Sequence, residues 1–230
     1  MNFKVQTTGM EDVETLFARI TGYPPAAGTA STLDVLQVLY DRVLRIDPAY
    51  PDDPARDRLL LSKGHGPAAY YAVLAARGFF PVEWLDNVSS VDSRLGGHPD
   101  RTLVPGVEIG SGSLGHGLGL AVGMALGLRA QGLLEPRVVV LLGDGELDEG
   151  SNHEAIAYAG STGLDRLTAV VVDNSSARYG WPGGIASRFE VNGWAASTVD
   201  GRDRDALERA LTAPAAGRPD VVVAVVEPSR

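Results

Sequence analysis

Two apolar runs in the second half of the chain form its clearest pattern. Residues 137–142 are aliphatic after the first position, and residues 167–173 form a second run that ends before Asn174. Continuous runs of Val and Leu are typical of strands that are buried on both faces of a parallel sheet. A helix is predicted between them, at about 152–163. Together they predict a βαβ unit with a right-handed crossover and parallel strands.

Polar residues and glycines follow both predicted strands. Gly143, Asp144 and Gly145 end the first, and Asn174 ends the second. The glycines permit a positive φ and a close backbone approach to a ligand. Because open α/β sheets bind ligands at the carboxyl ends of their strands, Asp144 and Asn174 are expected to share that edge. Their oxygens favour Mg²⁺ or Ca²⁺ over zinc, and the backbone N–H groups of the Gly143 turn are available for a phosphate.

Weaker patterns complete an α/β chain around this unit. Helical periodicity and N-cap residues predict helices at about 10–20, 31–46, 68–77, 114–131, 185–192 and 205–211, with Ser31 and Ser113 as caps. Two more strands are predicted at 196–199 and 221–226. The predicted fold is a three-layer α/β/α sandwich with a mostly parallel sheet, as one domain over residues 1–230 with a leading helical segment at 1–20.

A ridge of glycines marks the helix predicted at 114–131. Gly115, Gly119, Gly123 and Gly127 recur every four residues. Each glycine costs a helix about 1 kcal/mol relative to alanine, so the ridge predicts a partner packed tightly on this face, such as another helix or a subunit. The apolar part of the helix is too short to span a membrane.

Composition narrows the classes of function. The chain has 230 residues, 44% of them hydrophobic, with a net charge of −9 and no cysteine. The acidic charge argues against nucleic acid and anionic membranes as partners, and the lack of cysteine excludes disulfides and thiol catalysis. The amino terminus lacks the apolar run of a signal peptide. A soluble cytoplasmic protein is therefore expected.

The glycine turn and its partners resemble a known cofactor motif. Gly143-Asp144-Gly145 followed by Asn174, thirty residues past Asp144, resembles the thiamine diphosphate motif. Further segments resemble the transketolase family and occur in the family's order. They are Leu61-Ser-Lys-Gly-His-Gly66, Gly97-His98-Pro99, Pro105-Gly-Val-Glu108, Gly112-Ser-Leu-Gly115 and Glu149 with Glu154-Ala155. The chain is similar to the amino-terminal, diphosphate-binding half of a split transketolase, over about residues 21–201.

The resemblance implies roles for individual residues. The metal ligands would be Asp144, Asn174 and the Ser176 carbonyl, with Mg²⁺ or Ca²⁺ as the ion. His65 and His98 would bind the donor ketol or move its protons, although a lone histidine is more often a surface residue. The residues implied to contact thiamine diphosphate are His65, Gly112, Ser113, Leu114, Gly143, Asp144, Gly145, Glu146 and Asn174.

Two glutamates follow the motif and have two interpretations. Glu149 and Glu154 can simply be acidic residues near a helix amino terminus, where each stabilises by about 0.3–1 kcal/mol. The resemblance instead implies that they lie at a dimer interface and communicate protonation between active sites. The second interpretation is favoured.

The chain departs from the family pattern at three positions. Tyr23 stands where the family has a histidine that contacts the sugar, and its hydroxyl, with a reference pKa of about 10, is a poor base. Tyr23 is therefore either a substrate contact or a packed aromatic residue. His116 stands in place of a glutamine and Arg178 in place of an aliphatic residue, with no role assigned to either.

The resemblance also implies that a second subunit completes the active site. Thiamine diphosphate needs a carboxylate on its aminopyrimidine ring, supplied in the family by a pyrimidine-binding domain of which this chain has no trace. We therefore expect the partner to be a carboxyl-terminal transketolase-type subunit. The two would form an α₂β₂ heterotetramer that transfers a two-carbon ketol or related acyl unit, in a specialised and biosynthetic role. The alternatives are a subunit of a decarboxylating 2-oxo acid carboligase and a non-catalytic scaffold.

Overall fold

A five-stranded parallel sheet lies at the centre of the protein. The computed structural model describes residues 12–25, 27–213 and 217–226. The strands are β1 (Arg58–Leu61), β2 (Val138–Gly143), β3 (Leu167–Asp173), β4 (Ala195–Asp200) and β5 (Asp220–Val225). Their spatial order is β1-β2-β3-β5-β4, and all four neighbouring pairs are parallel. The predicted βαβ unit is confirmed as β2 and β3.

Seven α-helices are described around this sheet. They are α1 (Val13–Thr21), α2 (Ala27–Val38), α3 (Pro67–Ala76), α4 (His116–Ala130), α5 (Gly150–Ser161), α6 (Gly184–Glu190) and α7 (Arg204–Thr212). A π-helical turn (Leu39–Val43) continues α2, and 3₁₀ turns occupy Val82–Asn87 and Gly145–Asp148. Within the described part of the chain, no helix has the length and apolar character needed to cross a membrane.

The central strands β2 and β3 are almost entirely apolar because both faces of the sheet are covered there, whereas the edge strand β4 is partly exposed. Val139 and Leu141 of β2 belong to a core shared with α1, α2, α3 and α7. Val138, Val140 and Leu142 belong to a second core, shared with α4, α5 and α6. Alternate residues of a strand point to opposite faces, so each face meets its own helical layer. The three-layer α/β/α prediction is confirmed.

Both helix caps predicted from serines are wrong. Helix α2 begins at Ala27, which leaves Ser31 inside it. Helix α4 begins at His116, and its N-cap is Gly115, with φ +82°, instead of Ser113. A left-handed residue at this position is easy for glycine and strained for serine. The leading helix is α1, and the residues predicted to precede it lie outside the described part of the chain.

The glycine ridge on α4 is open within this chain. A Cβ added at Gly119, Gly123 or Gly127 would meet no described atom within 4 Å. Tight packing occurs instead at the start of the helix, where a Cβ on Gly117 would lie 2.2 Å from Cβ of Ser62. No described helix packs on Gly119, Gly123 or Gly127, whereas a Cβ on Gly115 would lie 2.6 Å from Cβ of Glu149, so tight packing within the described chain is present only at the start of the predicted ridge.

Two helical glycines give a matched test of the packing. A Cβ at Gly160 of α5 would lie 1.7 Å from the carbonyl oxygen of Asn192, whereas Gly123 of α4 faces open space. We expect Gly160→Ala to lower the free energy of unfolding by roughly 1–3 kcal/mol, because backbone must move. We expect Gly123→Ala to raise it by about 1 kcal/mol through helix propensity. Urea denaturation of both variants measures the difference, and equal effects would contradict the packing described here.

Candidate active site

Four loops meet at the carboxyl edge of the sheet. They follow β1 (residues 62–66), β2 (144–149) and β3 (174–183), and the fourth (110–115) precedes α4. The register that pairs Gly143 of β2 with Val172 of β3 brings the second and third loops side by side. The predicted site residues that follow the strands therefore share one edge, as expected.

Asp144 joins the loops after β2 and β3. Its carboxylate is 1% exposed. It accepts a hydrogen bond from the Ser176 hydroxyl at 2.6 Å and another from the backbone N–H of Ala177 at 2.9 Å. The backbone N–H of Ser176 also donates to it. Asn174, which is 9% exposed, precedes these residues at the same edge. The predicted proximity of Asp144, Asn174 and Ser176 is thus present in the structure.

Glu146 is the point where three loops are tied together. Its buried carboxylate accepts hydrogen bonds from the Ser62 hydroxyl, from the N–H of Gly115 at 3.0 Å and from the N–H of Gly143 at 3.3 Å. Burial raises the pKa of Glu146, and these three hydrogen bonds oppose the rise. The Ser62 hydroxyl also accepts from the N–H of Gly117, which fixes the start of α4.

The glycine turn after β2 works differently from the expectation. Gly143 and Gly145 are absent from the residues with positive φ, so neither is required by backbone conformation. What matters instead is that neither glycine has a side chain. A Cβ at Gly143 would lie 3.5 Å from Nζ of Lys63, and one at Gly145 would lie 3.4 Å from the Ser176 hydroxyl. The glycines allow neighbouring loops to approach the turn.

His98 reaches the edge by packing on another glycine. Gly112 has φ +127°, and a Cβ there would lie 2.8 Å from Cγ of His98. Leu114 of the same loop packs against the loop after β1, with its Cδ2 atom 3.1 Å from the position that a Cβ on Gly64 would occupy. The loops that carry His65 and His98 therefore both contact the loop 110–115. Both imidazoles are largely exposed to solvent.

Arg188 and Asp148 make contacts that hold the turn after β2, and together these contacts are called the clamp. No pattern in the sequence predicts them. Arg188 of α6 is 5% exposed and donates to the Leu147 carbonyl, with Nη2 lying 2.7 Å from Nε2 of His153. Its guanidinium carbon lies 5.2 Å from the centre of the Trp181 ring. Burial, and then the charge of Arg188, lower the pKa of His153. Asp148 completes the clamp by accepting the N–H groups of residues 178 and 179.

The remaining predicted residues lie on exposed surface. Glu149 and Glu154 are exposed at the start of α5, and within the described chain neither has an ion pair or a side-chain hydrogen bond. Tyr23 is 59% exposed in the loop after α1, and no hydrogen bond of the described chain joins its hydroxyl to the site. His116 is exposed, as is Arg178, whose guanidinium lies over the Tyr179 ring.

The oxygen atoms at this edge suit a hard cation. Asp144 supplies a carboxylate, Asn174 an amide oxygen, and the Ser176 carbonyl lies 3.5 Å from the Cβ position of Gly145. No group of three His, Cys, Asp or Glu side chains with metal-binding geometry occurs in residues 12–25, 27–213 and 217–226. The donors present therefore match Mg²⁺ or Ca²⁺, which accept amide and carbonyl oxygens.

Comparison with known proteins agrees with this geometry. The family model described as "Transketolase, thiamine diphosphate binding domain" matches residues 6–225. The chain belongs to the transketolase family. A transketolase from Leishmania mexicana has the same fold, with a TM-score of 0.77 and 26% identity over 94% of this chain. This chain covers 37% of that transketolase, so it corresponds to one part of a full-length enzyme.

Shorter relatives in the transketolase family match more of their own length. A Clostridium protein named 6-deoxy-6-sulfo-D-fructose transketolase subunit SqwG is 37% identical over 88% of this chain and 76% of its own. An Actinobacillus succinogenes protein, named as one of the subunits of apulose-4-phosphate transketolase, is 38% identical, over 84% of this chain and 72% of its own. A Rhodococcoides fascians protein named ferredoxin fas2 is 52% identical, over 94% and 71%. This chain has no cysteine to hold an iron–sulfur cluster.

Removal of the Glu146 carboxylate tests its role in joining the loops. We expect Glu146→Leu to lower the free energy of unfolding by about 3 kcal/mol, because three donors lose their acceptor. Glu146→Gln, which keeps one acceptor oxygen, should have an intermediate effect. Urea denaturation measures both, with the exposed Glu190→Gln as a control expected to stay within about 0.5 kcal/mol of wild type. A Leu variant as stable as wild type would show that the loops are joined by other contacts.

Proposed function

We propose that this chain is the diphosphate-binding subunit of a two-component transketolase, which transfers a two-carbon ketol unit between carbonyl compounds. The observation that carries the proposal is the convergence of Asp144, Asn174 and Ser176 at the ends of β2 and β3, in a chain that matches the family's thiamine diphosphate domain. The relatives named as transketolase subunits support the division of the enzyme into two chains.

A divalent cation, Mg²⁺ or Ca²⁺, would be held by Asp144, Asn174 and the Ser176 carbonyl. A carboxylate offers about four lone-pair sites, and Asp144 uses three of them for Ser176 and Ala177. These hydrogen bonds orient the carboxylate, which keeps its ligand atoms in place before the ion binds. Gly145 would let the diphosphate approach the backbone closely, since its Cβ position is bordered by Ser176.

Thiamine diphosphate supplies the carbanion chemistry when bound. The residues of this chain bind and orient the reactants. His65 and His98 are exposed at the same edge and would hold the hydroxyl groups of the donor or move their protons. The packing of His98 against Gly112 fixes where its imidazole lies. Ser113 and Leu114 are exposed in the loop 110–115, which Glu146 holds in place.

A partner subunit would complete the active site. We propose a carboxyl-terminal transketolase-type chain that carries the pyrimidine-binding domain, in an α₂β₂ assembly. The open glycines of α4 support such an interface, as do the exposed Leu120 of α4 and Tyr158 of α5, two helices that pack on each other. Glu149 and Glu154 are exposed at the start of α5, which suits their proposed interface role.

The donor would be a ketose or ketose phosphate, and the setting a specialised biosynthetic route in the cytoplasm. Two relatives have names that refer to substituted sugars, a sulfonated fructose and apulose 4-phosphate. Tyr23 on its exposed loop would contribute an aromatic surface and one hydroxyl to sugar binding, in place of the family's histidine.

Reconstitution with the partner tests the proposed function. The chain is co-expressed with the transketolase-type chain of the neighbouring gene and supplied with Mg²⁺, thiamine diphosphate, ketose donors and aldehyde acceptors, and products are identified by mass spectrometry. We expect two-carbon transfer by the complex, none by either chain alone, and loss of transfer in Asp144→Ala. Release of CO₂ from pyruvate without ketose turnover would instead identify a 2-oxo acid carboligase. Absence of any turnover in a complex that assembles would favour a scaffold.

A bulky residue on the ridge should block assembly without unfolding the chain. Gly123→Leu projects into open space in the isolated chain, so its stability should be unchanged or higher. The same side chain would clash with a subunit packed on the ridge. We expect loss of the heteromer in sedimentation velocity experiments, while Val191→Leu, at an exposed position after α6, should assemble normally. Normal assembly of Gly123→Leu would place the interface elsewhere.

A further inference from the structure

Lys63 is a buried cation at the centre of the site. It follows β1 and is 8% exposed, with its side chain lying along the turn after β2. Its Nζ atom is 3.5 Å from the Cβ position of Gly143. The stem is therefore enclosed by protein, and the ammonium group is aimed at the turn that begins with Asp144.

The ammonium group has no hydrogen bond or ion pair within the described part of the chain. The two nearest carboxylates are already engaged by other donors. Asp144 accepts from Ser176 and Ala177, and Glu146 accepts from three groups of the neighbouring loops. Burial lowers the pKa of Lys63, and the charges of Asp144 and Glu146 oppose this. A charge that is largely removed from water and has no direct partner is unfavourable, and an anion in contact with Nζ would offset this cost.

The backbone of the turn offers less to an anion than its sequence suggests. The N–H of Gly143 donates to Glu146, and the N–H of Asp144 donates to the Val172 carbonyl at 3.1 Å. Two of the donors expected to receive a phosphate are therefore used within the protein. A cation beside the turn supplies the attraction that these N–H groups do not.

We propose that Lys63 binds the diphosphate of thiamine diphosphate directly, as a cationic contact additional to the metal ion. This rests on the proposed function. Lys63 would neutralise phosphoryl charge next to Asp144, and its burial would exclude water from that contact. A sugar phosphate of the substrate has the same chemistry, but the position of Lys63 beside Gly143 and Asp144 favours the cofactor.

Calorimetric titration of the full chain, with and without the partner chain, tests this with four variants, one of which, Asp144→Ala, removes a proposed metal ligand. Thiamine diphosphate with Mg²⁺, inorganic diphosphate with Mg²⁺, Mg²⁺ alone, and a ketose phosphate are the probes. Lys63→Met removes the charge, Lys63→Arg keeps it, and Arg209→Gln removes one positive charge from the exposed face of α7. Thermal unfolding without ligand is measured in parallel.

We expect Lys63→Met to lower the affinity for both diphosphate ligands by at least about tenfold, because the bound anion loses its cationic contact. Affinity for Mg²⁺ alone should be unchanged or higher, because a positive charge near the ion is gone. The melting temperature without ligand should be unchanged or higher, because an unpaired buried charge is removed. Lys63→Arg should bind better than Lys63→Met, and Arg209→Gln should bind as wild type does.

The outcomes separate this inference from the function on which it rests. Wild-type affinity for thiamine diphosphate in Lys63→Met, with loss in Asp144→Ala, overturns the role of Lys63 and leaves the proposed function standing. A loss confined to the ketose phosphate assigns Lys63 to the substrate and overturns the cofactor contact. A lower melting temperature in Lys63→Met identifies a structural counter-ion and also overturns it. A wild-type chain that binds neither diphosphate even when the partner chain is present overturns both proposals.

Discussion

The buried carboxylate of Glu146 is the interaction on which the geometry of the site depends. It joins the loops after β1 and β2 to the loop before α4 through Ser62, Gly143 and Gly115. A carboxylate can accept several hydrogen bonds, which a neutral side chain of similar size cannot do. His65, Asp144 and Leu114 each lie within three residues of one of those donors. Their relative positions are therefore set by one acid that faces the protein interior.

The sheet could be predicted from sequence because its physics is local. Runs such as residues 137–142 need only be apolar and β-branched to form strands covered on both faces, and the polar residue that ends each run must lie at the sheet edge. The shared edge of Asp144 and Asn174 followed from this reasoning, and the register that pairs Gly143 with Val172 shows it. The position of Ser176 beside Asp144 was implied only by the family resemblance. The family could be read from the same residues.

The contacts around that edge could not be predicted, because they join residues far apart in the chain. Glu146 reads as a cofactor contact beside the motif, yet its carboxylate is engaged by donors from 31 and 84 residues away. The clamp of Arg188 on Leu147 and His153 has no spacing signal. Ser113 satisfies the rule for an N-cap, but the chain takes a left-handed turn at Gly115, where the packing of Glu149 leaves no room for a side chain. Local preference is overruled there by tertiary packing.

The glycine ridge of α4 and the buried Lys63 are alike in one respect: each is costly for the chain and has no contact within the described chain that offsets its cost. Glycines that cost helix stability face open space, and a cation that costs solvation has no anion in direct contact within the described chain. Neither feature stabilises the isolated chain. Both features fit the proposed binding, in which the ridge contacts a second chain and the cation contacts a phosphorylated cofactor.

We propose that the carboxyl edge of β2 and β3 binds thiamine diphosphate through a divalent cation. Calorimetric titration of the full chain with thiamine diphosphate, in the presence and absence of Mg²⁺, tests it most directly. The account predicts binding that requires Mg²⁺, tightens when the partner chain is added and disappears in Asp144→Ala. Binding that persists in Asp144→Ala, or no binding even with the partner present, would contradict it.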